Sequence, residues 1–179
     1  MKILVTITDG FEDNEAIGTI AILRRAGLDV TVASLYSHEA TGRYQSHLTD
    51  LKCLKELDYT LFDMLVMPGG PEYITEEKDP DFLNMVRFFM TGNRFVAAIC
   101  AAPTILGHLG LLKGRDYTCF TSMNEDFGGT FHDRYAVRDN NLITGRSVAA
   151  TIDFALTIVE ALKGQEAVER LKKEIYYDR

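Results

Sequence analysis

The chain has 179 residues, 46% of them hydrophobic, and a net charge of −7, which suits one well-buried domain spanning 1–179 and is short for two. Its 19 Lys and Arg are scattered and form no basic stripe, which excludes nucleic acid and anionic membrane as partners. No stretch approaches membrane-spanning length, and the apolar run in "MKILVTITDG" is too short for a signal peptide, so a cytoplasmic protein is expected.

Taken in chain order, short β-rich runs alternate with longer segments of helical period. Strands are predicted at "KILVTI" (2–7), "DVTVAS" (29–34), "DMLVMP" (63–68), "FVAAI" (95–99) and "NLITG" (141–145). Their nearly continuous apolar character is that of strands buried on both faces. Helices are predicted at about 12–26, 80–91, 102–110, 149–162 and 165–175, with Gly27 and Gly164 as C-terminal stops. The pattern from 36 to 60 is mixed, and 119–141 reads as a β-hairpin or loop excursion with Gly128-Gly129 at a turn. The βαβ alternation predicts an α/β fold, a mostly parallel sheet covered by helices on both faces.

Ligands of such sheets bind at the carboxyl ends of strands. Three unusual stretches fall there: "TDGFEDNEA", "MPGGPE" and "ICAAPT". In the last, Cys100 stands between a strand and a helix opened by Pro103, with small neighbours, as in the elbow that exposes a nucleophile. A helix N-terminus beside it would favour the thiolate. Free cysteine also often packs in a core, so from this segment alone both readings stand. Cys53 and Cys119 lack the elbow context and are expected to be structural. Three cysteines without CxxC spacing argue against a disulfide framework and a zinc site.

On a helix from about residue 12, at roughly 100° per residue, Glu15 shares an arc with Ala16, Thr19, Ile22, Leu23 and Ala26. It therefore faces inward, where a carboxyl stays protonated at neutral pH and can donate to an adjacent thiolate. Glu12 and Asp13 are read instead as favouring the helix N-terminus. The glycines of "MPGG" allow close backbone approach to a ligand. The Gly70 amide and that of Ala101, directly after the candidate nucleophile, could hold an oxyanion.

On "DGFEDNEAIGTIAILRRAGLDVTVAS", "DMLVMPGGPE", "VAAICAAPTILGHLGLLKG" and "NLITGRSVAATIDFALTIVEALKG", in this order and spacing, the sequence resembles the ThiJ/PfpI (DJ-one/PfpI) family and its small, single-domain, deglycase-like branch. The resemblance implies a flavodoxin-like three-layer α/β/α sandwich, related to class I glutamine amidotransferases, and a homodimer. It also implies a reactive Cys100 hydrogen-bonded by protonated Glu15, oxyanion amides at Gly70 and Ala101, and no cofactor or metal. Its activities are glyoxalase III or deglycase chemistry on methylglyoxal and similar small carbonyls. Stress sensing through cysteine oxidation and holdase behaviour form the alternative.

The sequence also departs from the family pattern. Where related deglycases place a histidine after the elbow helix, this chain has "YTCFTSMNED"; His132 is the nearest candidate, with weaker claims for His108, His38 and His47. An Arg-Gly-Pro-Gly segment is replaced by "RSVAA". Ala101, where the protease branch has histidine, argues against a peptidase.

Overall fold

"KILVTI" alternates between two apolar cores, which is why it forms the middle of the molecule: Ile3, Val5 and Ile7 enter one core and Leu4 the other, all fully buried. The computed structural model describes residues 1–92 and 94–178. In chain order the elements are β1 (Lys2–Ile7), α1 (Asp13–Arg25), β2 (Asp29–Ser34), β3 (Ala40–Thr41), β4 (His47–Leu48), β5 (Lys52–Cys53), β6 (Met64–Met67), α2 (Tyr73–Glu76), α3 (Pro80–Thr91), β7 (Phe95–Ile99), α4 (Ala102–His108), β8 (Asp116–Tyr117), β9 (Thr130–Phe131), β10 (Ala136–Asp139), β11 (Leu142–Gly145), α5 (Thr151–Lys163) and α6 (Gln165–Glu174).

Seven strands form one sheet in the order β10-β11-β7-β6-β1-β2-β5. All its pairs are parallel except β10 with β11. Helices α1, α5 and α6 cover one face, where Leu23 and Phe154 meet the odd-numbered side chains of β1. Helices α3 and α4 cover the other, where Phe82, Phe89 and Ile105 pack on Leu4 and Leu65. The result is the flavodoxin-like α/β/α sandwich expected from sequence. Truncating Phe154 or Phe89 to Ala would cost about 3–5 kcal/mol.

The helix ends follow local chemistry. Gly27, at φ 70°, closes α1 with a bond from the Leu28 amide to the Leu23 carbonyl at 3.1 Å. Asp79 caps α3, accepting the Asp81 and Phe82 amides at 2.9 and 3.0 Å, with Pro80 following.

The 119–141 region, expected as a β-hairpin or loop excursion, is a loop excursion that leads into the first strand of a hairpin. Gly128 does turn, at φ 73°, but β9 pairs in parallel with β8, and the hairpin is β10–β11, reversed at Asn140 with φ 54°. A short α2 and the small β3–β4 ribbon were also not anticipated. No described helix is long and apolar enough to cross a membrane.

The sheet order reverses direction at β1 and β6, so the loops after these strands part and leave a crevice at their carboxyl ends. β7 ends beside it.

Candidate active site

β7 runs straight into Cys100, whose φ of 65° is left-handed and costs about 1–3 kcal/mol for a non-glycine residue. The surroundings enforce it. The Cys100 amide donates to the Gly145 carbonyl at 2.9 Å, its carbonyl accepts the Phe120 amide at 2.7 Å, and Ala101 and Ala102 after it are buried. The Thr104 hydroxyl, donating to the Ala101 carbonyl at 2.7 Å, secures the start of α4. Unlike the buried Cys53 and Cys119, Cys100 is partly open.

Glu15, fully buried on α1, reaches the same point. Its Oε2 accepts the Gly69 amide at 2.9 Å. Its Oε1 is buried without a hydrogen-bond partner of standard geometry, and the side chain interacts with the Cys100 thiol. A Cβ placed on Gly69 would come within 2.6 Å of both Cys100 Cβ and Glu15 Oε2, so only glycine lets the Cys100 side chain and the carboxyl meet. Burial, helped by the Glu12 charge, pushes the Glu15 carboxyl up to about 7 against the lowering by Cys100 and Gly69.

The α4 N-terminus predicts a lowered thiol at Cys100, and here the structure differs. Burial first, then the charge and hydrogen bond of Glu15, push the thiol above its usual range, while the Ala101 backbone pulls the other way. Helix α4 has only seven residues, too weak a dipole to win. Cys100 and Glu15 therefore titrate as a pair. Both are neutral below about pH 7, and above it one proton remains between sulfur and carboxyl.

Gly70 adopts φ 107°, and a Cβ there would meet Glu12 N at 2.5 Å and Gly10 O at 2.6 Å. Gly70, Ala101, Glu15 and Cys100 border one cleft of about 340 Å³. A larger groove of about 470 Å³, over Leu54, Tyr59 and Phe82, is not lined by any of the three cysteines.

Glu12 caps α1, accepting the Glu15 amide at 2.8 Å. Asp13 does more than favour the helix start. It accepts the Tyr44 and Ser46 amides at 2.8 and 2.9 Å, pinning the β3–β4 turn and bringing Arg43 and Tyr44 to the cleft. The histidines stay away from it. His132 Nε2 lies 2.9 Å from an Asp116 carboxylate oxygen, His108 contacts Glu77, and His38 and His47 face Glu56 and Glu39. In place of a histidine, the loop after β8 presents Phe120 and Met123, and Ser147 and Val148 of "RSVAA" form another wall.

Sequence reasoning missed two further acids. Glu72 and Glu76 are fully buried, Glu72 accepting the Thr8 amide at 2.5 Å. Burial, then the neighbouring Glu76, raises Glu72, and burial raises Glu76 to about 8. Their i, i+4 spacing is the only signal the sequence offered, and on a short exposed-looking segment it reads as solvated.

The family model described as DJ-1/PfpI matches residues 1–161. Protein dj-1beta of Drosophila melanogaster is 35% identical over 95% of this chain and 94% of its own. Deglycase TK1284 of Thermococcus kodakarensis is 32% identical over 82% and 90%. The crystal structure of a cysteine-to-alanine mutant of the DJ-1 superfamily protein STM1931 from Salmonella typhimurium superposes with a TM-score of 0.90 at 32% identity, covering 99% of both chains.

Proposed function

From membership of the DJ-1/PfpI family, to which the chain belongs, and from the pairing of a partly open cysteine with a buried carboxyl, we propose a cysteine-dependent enzyme acting on small reactive carbonyls, glyoxalase- or deglycase-like, converting methylglyoxal to lactate. The observation that carries this reading is Cys100, held at φ 65° beside a carboxyl that titrates at about 7 and facing an open cleft. A general base works best with a pKa near the operating pH. The name of the Thermococcus relative supports the substrate class.

In the proposed reaction the Cys100 sulfur bonds to the aldehyde carbon, the thiol proton passes to ionised Glu15, and the carbonyl π electrons move to oxygen. The Gly70 and Ala101 amides face that oxygen, which takes the same proton back from Glu15 to give a hemithioacetal and leaves Glu15 ionised for the next step. Glu15 then moves the proton from the former aldehyde carbon to the adjacent carbonyl carbon through an enediol, leaving a thioester. Water cleaves the thioester, releasing lactate and restoring the thiol. The net change is addition of one water, and side chains and water carry every step.

The test is lactate formation from methylglyoxal by the purified protein with a chelator present, wild type against Cys100→Ser. Loss of turnover on substitution supports the proposal; equal lactate from both proteins, or none from either, overturns it.

The second reading is a redox sensor or holdase in which Cys100 oxidises to sulfenic and then sulfinic acid. It is favoured by the partial exposure of Cys100 against the burial of Cys53 and Cys119. The homodimer implied by resemblance belongs to this proposal, and sedimentation of the purified protein tests it.

A further inference from the structure

Large apolar side chains on a monomer's surface are ordinary when scattered and informative when gathered. Ten are exposed among the described residues, and four of them, Tyr44 at 65%, Ile74 at 46%, Val148 at 43% and Phe120 at 42%, rim the Cys100 cleft. They come from four separated segments of the chain, so the gathering is a product of the fold and not of a local apolar run.

Two further features sharpen this. Phe120 and Met123 share one loop, anchored directly to the nucleophile by the bond from the Phe120 amide to the Cys100 carbonyl at 2.7 Å. Of the charged side chains at the cleft, Glu12 caps α1, Glu15 is engaged by Gly69 and Cys100, and the Arg43 guanidinium lies 5.6 Å from the centre of the Tyr44 ring on the same rim.

We infer that the cleft selects carbonyl compounds carrying an aromatic or branched apolar substituent, with Phe120 and Met123 as the residues that select it. This rests on the carbonyl-enzyme reading above. An aldehyde carbon bonded to Cys100 places its substituent against this loop, and the substituent gains affinity by leaving water for an apolar wall. A methyl group would leave most of a cleft of about 340 Å³ unfilled.

The experiment compares kcat/KM for methylglyoxal and phenylglyoxal in wild type, Phe120→Ala, Met123→Ala and Phe120→Leu. The Phe120 side chain is half-exposed and its anchoring bond is made by backbone, so these substitutions leave the fold in place. Wild type is expected to favour phenylglyoxal by roughly tenfold or more, the scale on which apolar pockets discriminate. Both Ala variants should lower that ratio several-fold, through KM for phenylglyoxal, and Phe120→Leu should restore most of it. A wild-type ratio at or below one overturns the inference while methylglyoxal turnover leaves the parent reading standing. No turnover of either aldehyde overturns both. An unchanged ratio in variants whose association state shifts assigns these side chains to a contact between copies, which also overturns it.

Discussion

Replacing Glu15 by Gln removes a titrating group and keeps its shape. The amide oxygen can still accept the Gly69 N–H that Oε2 takes at 2.9 Å, and the amide nitrogen can donate to Cys100 as the protonated carboxyl does. What changes is linkage to pH. The carboxyl is raised from an ordinary 4.5 to about 7, so between these values the folded chain holds a proton that the unfolded chain has lost. Wild-type stability therefore falls as pH rises through this window. At about 1.4 kcal/mol per pH unit the loss approaches about 3 kcal/mol above pH 7. Denaturant unfolding of both proteins at about pH 5 and pH 8.5 isolates Glu15, because every other carboxyl contributes to both. Glu15→Gln should match wild type near pH 5 and exceed it near pH 8.5 by about 3 kcal/mol, or about 6–12 °C in Tm for a domain of this size. Parallel pH dependences in the two proteins would refute the raised carboxyl and the base role built on it.

Other perturbations test neighbouring parts of the site. Gly70→Ala forces a Cβ onto backbone atoms 2.5–2.8 Å away at a positive φ, so it should destabilise by about 3 kcal/mol or more, read by thermal unfolding. Glu76→Met should stabilise by several kcal/mol near pH 9 and little near pH 5, because the buried acid, raised to about 8, must ionise in the native protein as pH rises. After mild peroxide, site-resolved mass spectrometry should find Cys100 oxidised well before Cys53 or Cys119, since both of those are buried; equal oxidation of all three would remove the sensor reading.

The sheet was legible because its strands are buried on both faces and read as unbroken apolar runs, from "KILVTI" to "NLITG". Glu15 was legible because helical period alone places it on the apolar arc of α1. The pair it forms with Cys100 required two elbows, at Gly69 and at Cys100, to face each other across β6 and β7. The direction of the Cys100 shift was not legible, since burial outweighs the helix end only once the depth of the site is known. Nor was the rim. Tyr44 arrives through the bonds of Asp13 to the β3–β4 turn, and Phe120 through a loop tied to the Cys100 carbonyl, long-range placements that leave no periodic trace. Glu72 and Glu76 lie on a short polar-looking turn whose burial comes wholly from tertiary packing.

The claim on which the rest depends is that Cys100 and Glu15 share one proton and react as a unit. The most direct measurement is the rate of Cys100 alkylation by iodoacetamide across pH, quantified on the Cys100 peptide in wild type and Glu15→Gln. A wild-type rate that steps up with a midpoint near 7, and a variant that lacks this step, is the predicted result. Identical profiles in both proteins, rising only in the ordinary thiol range, would contradict it.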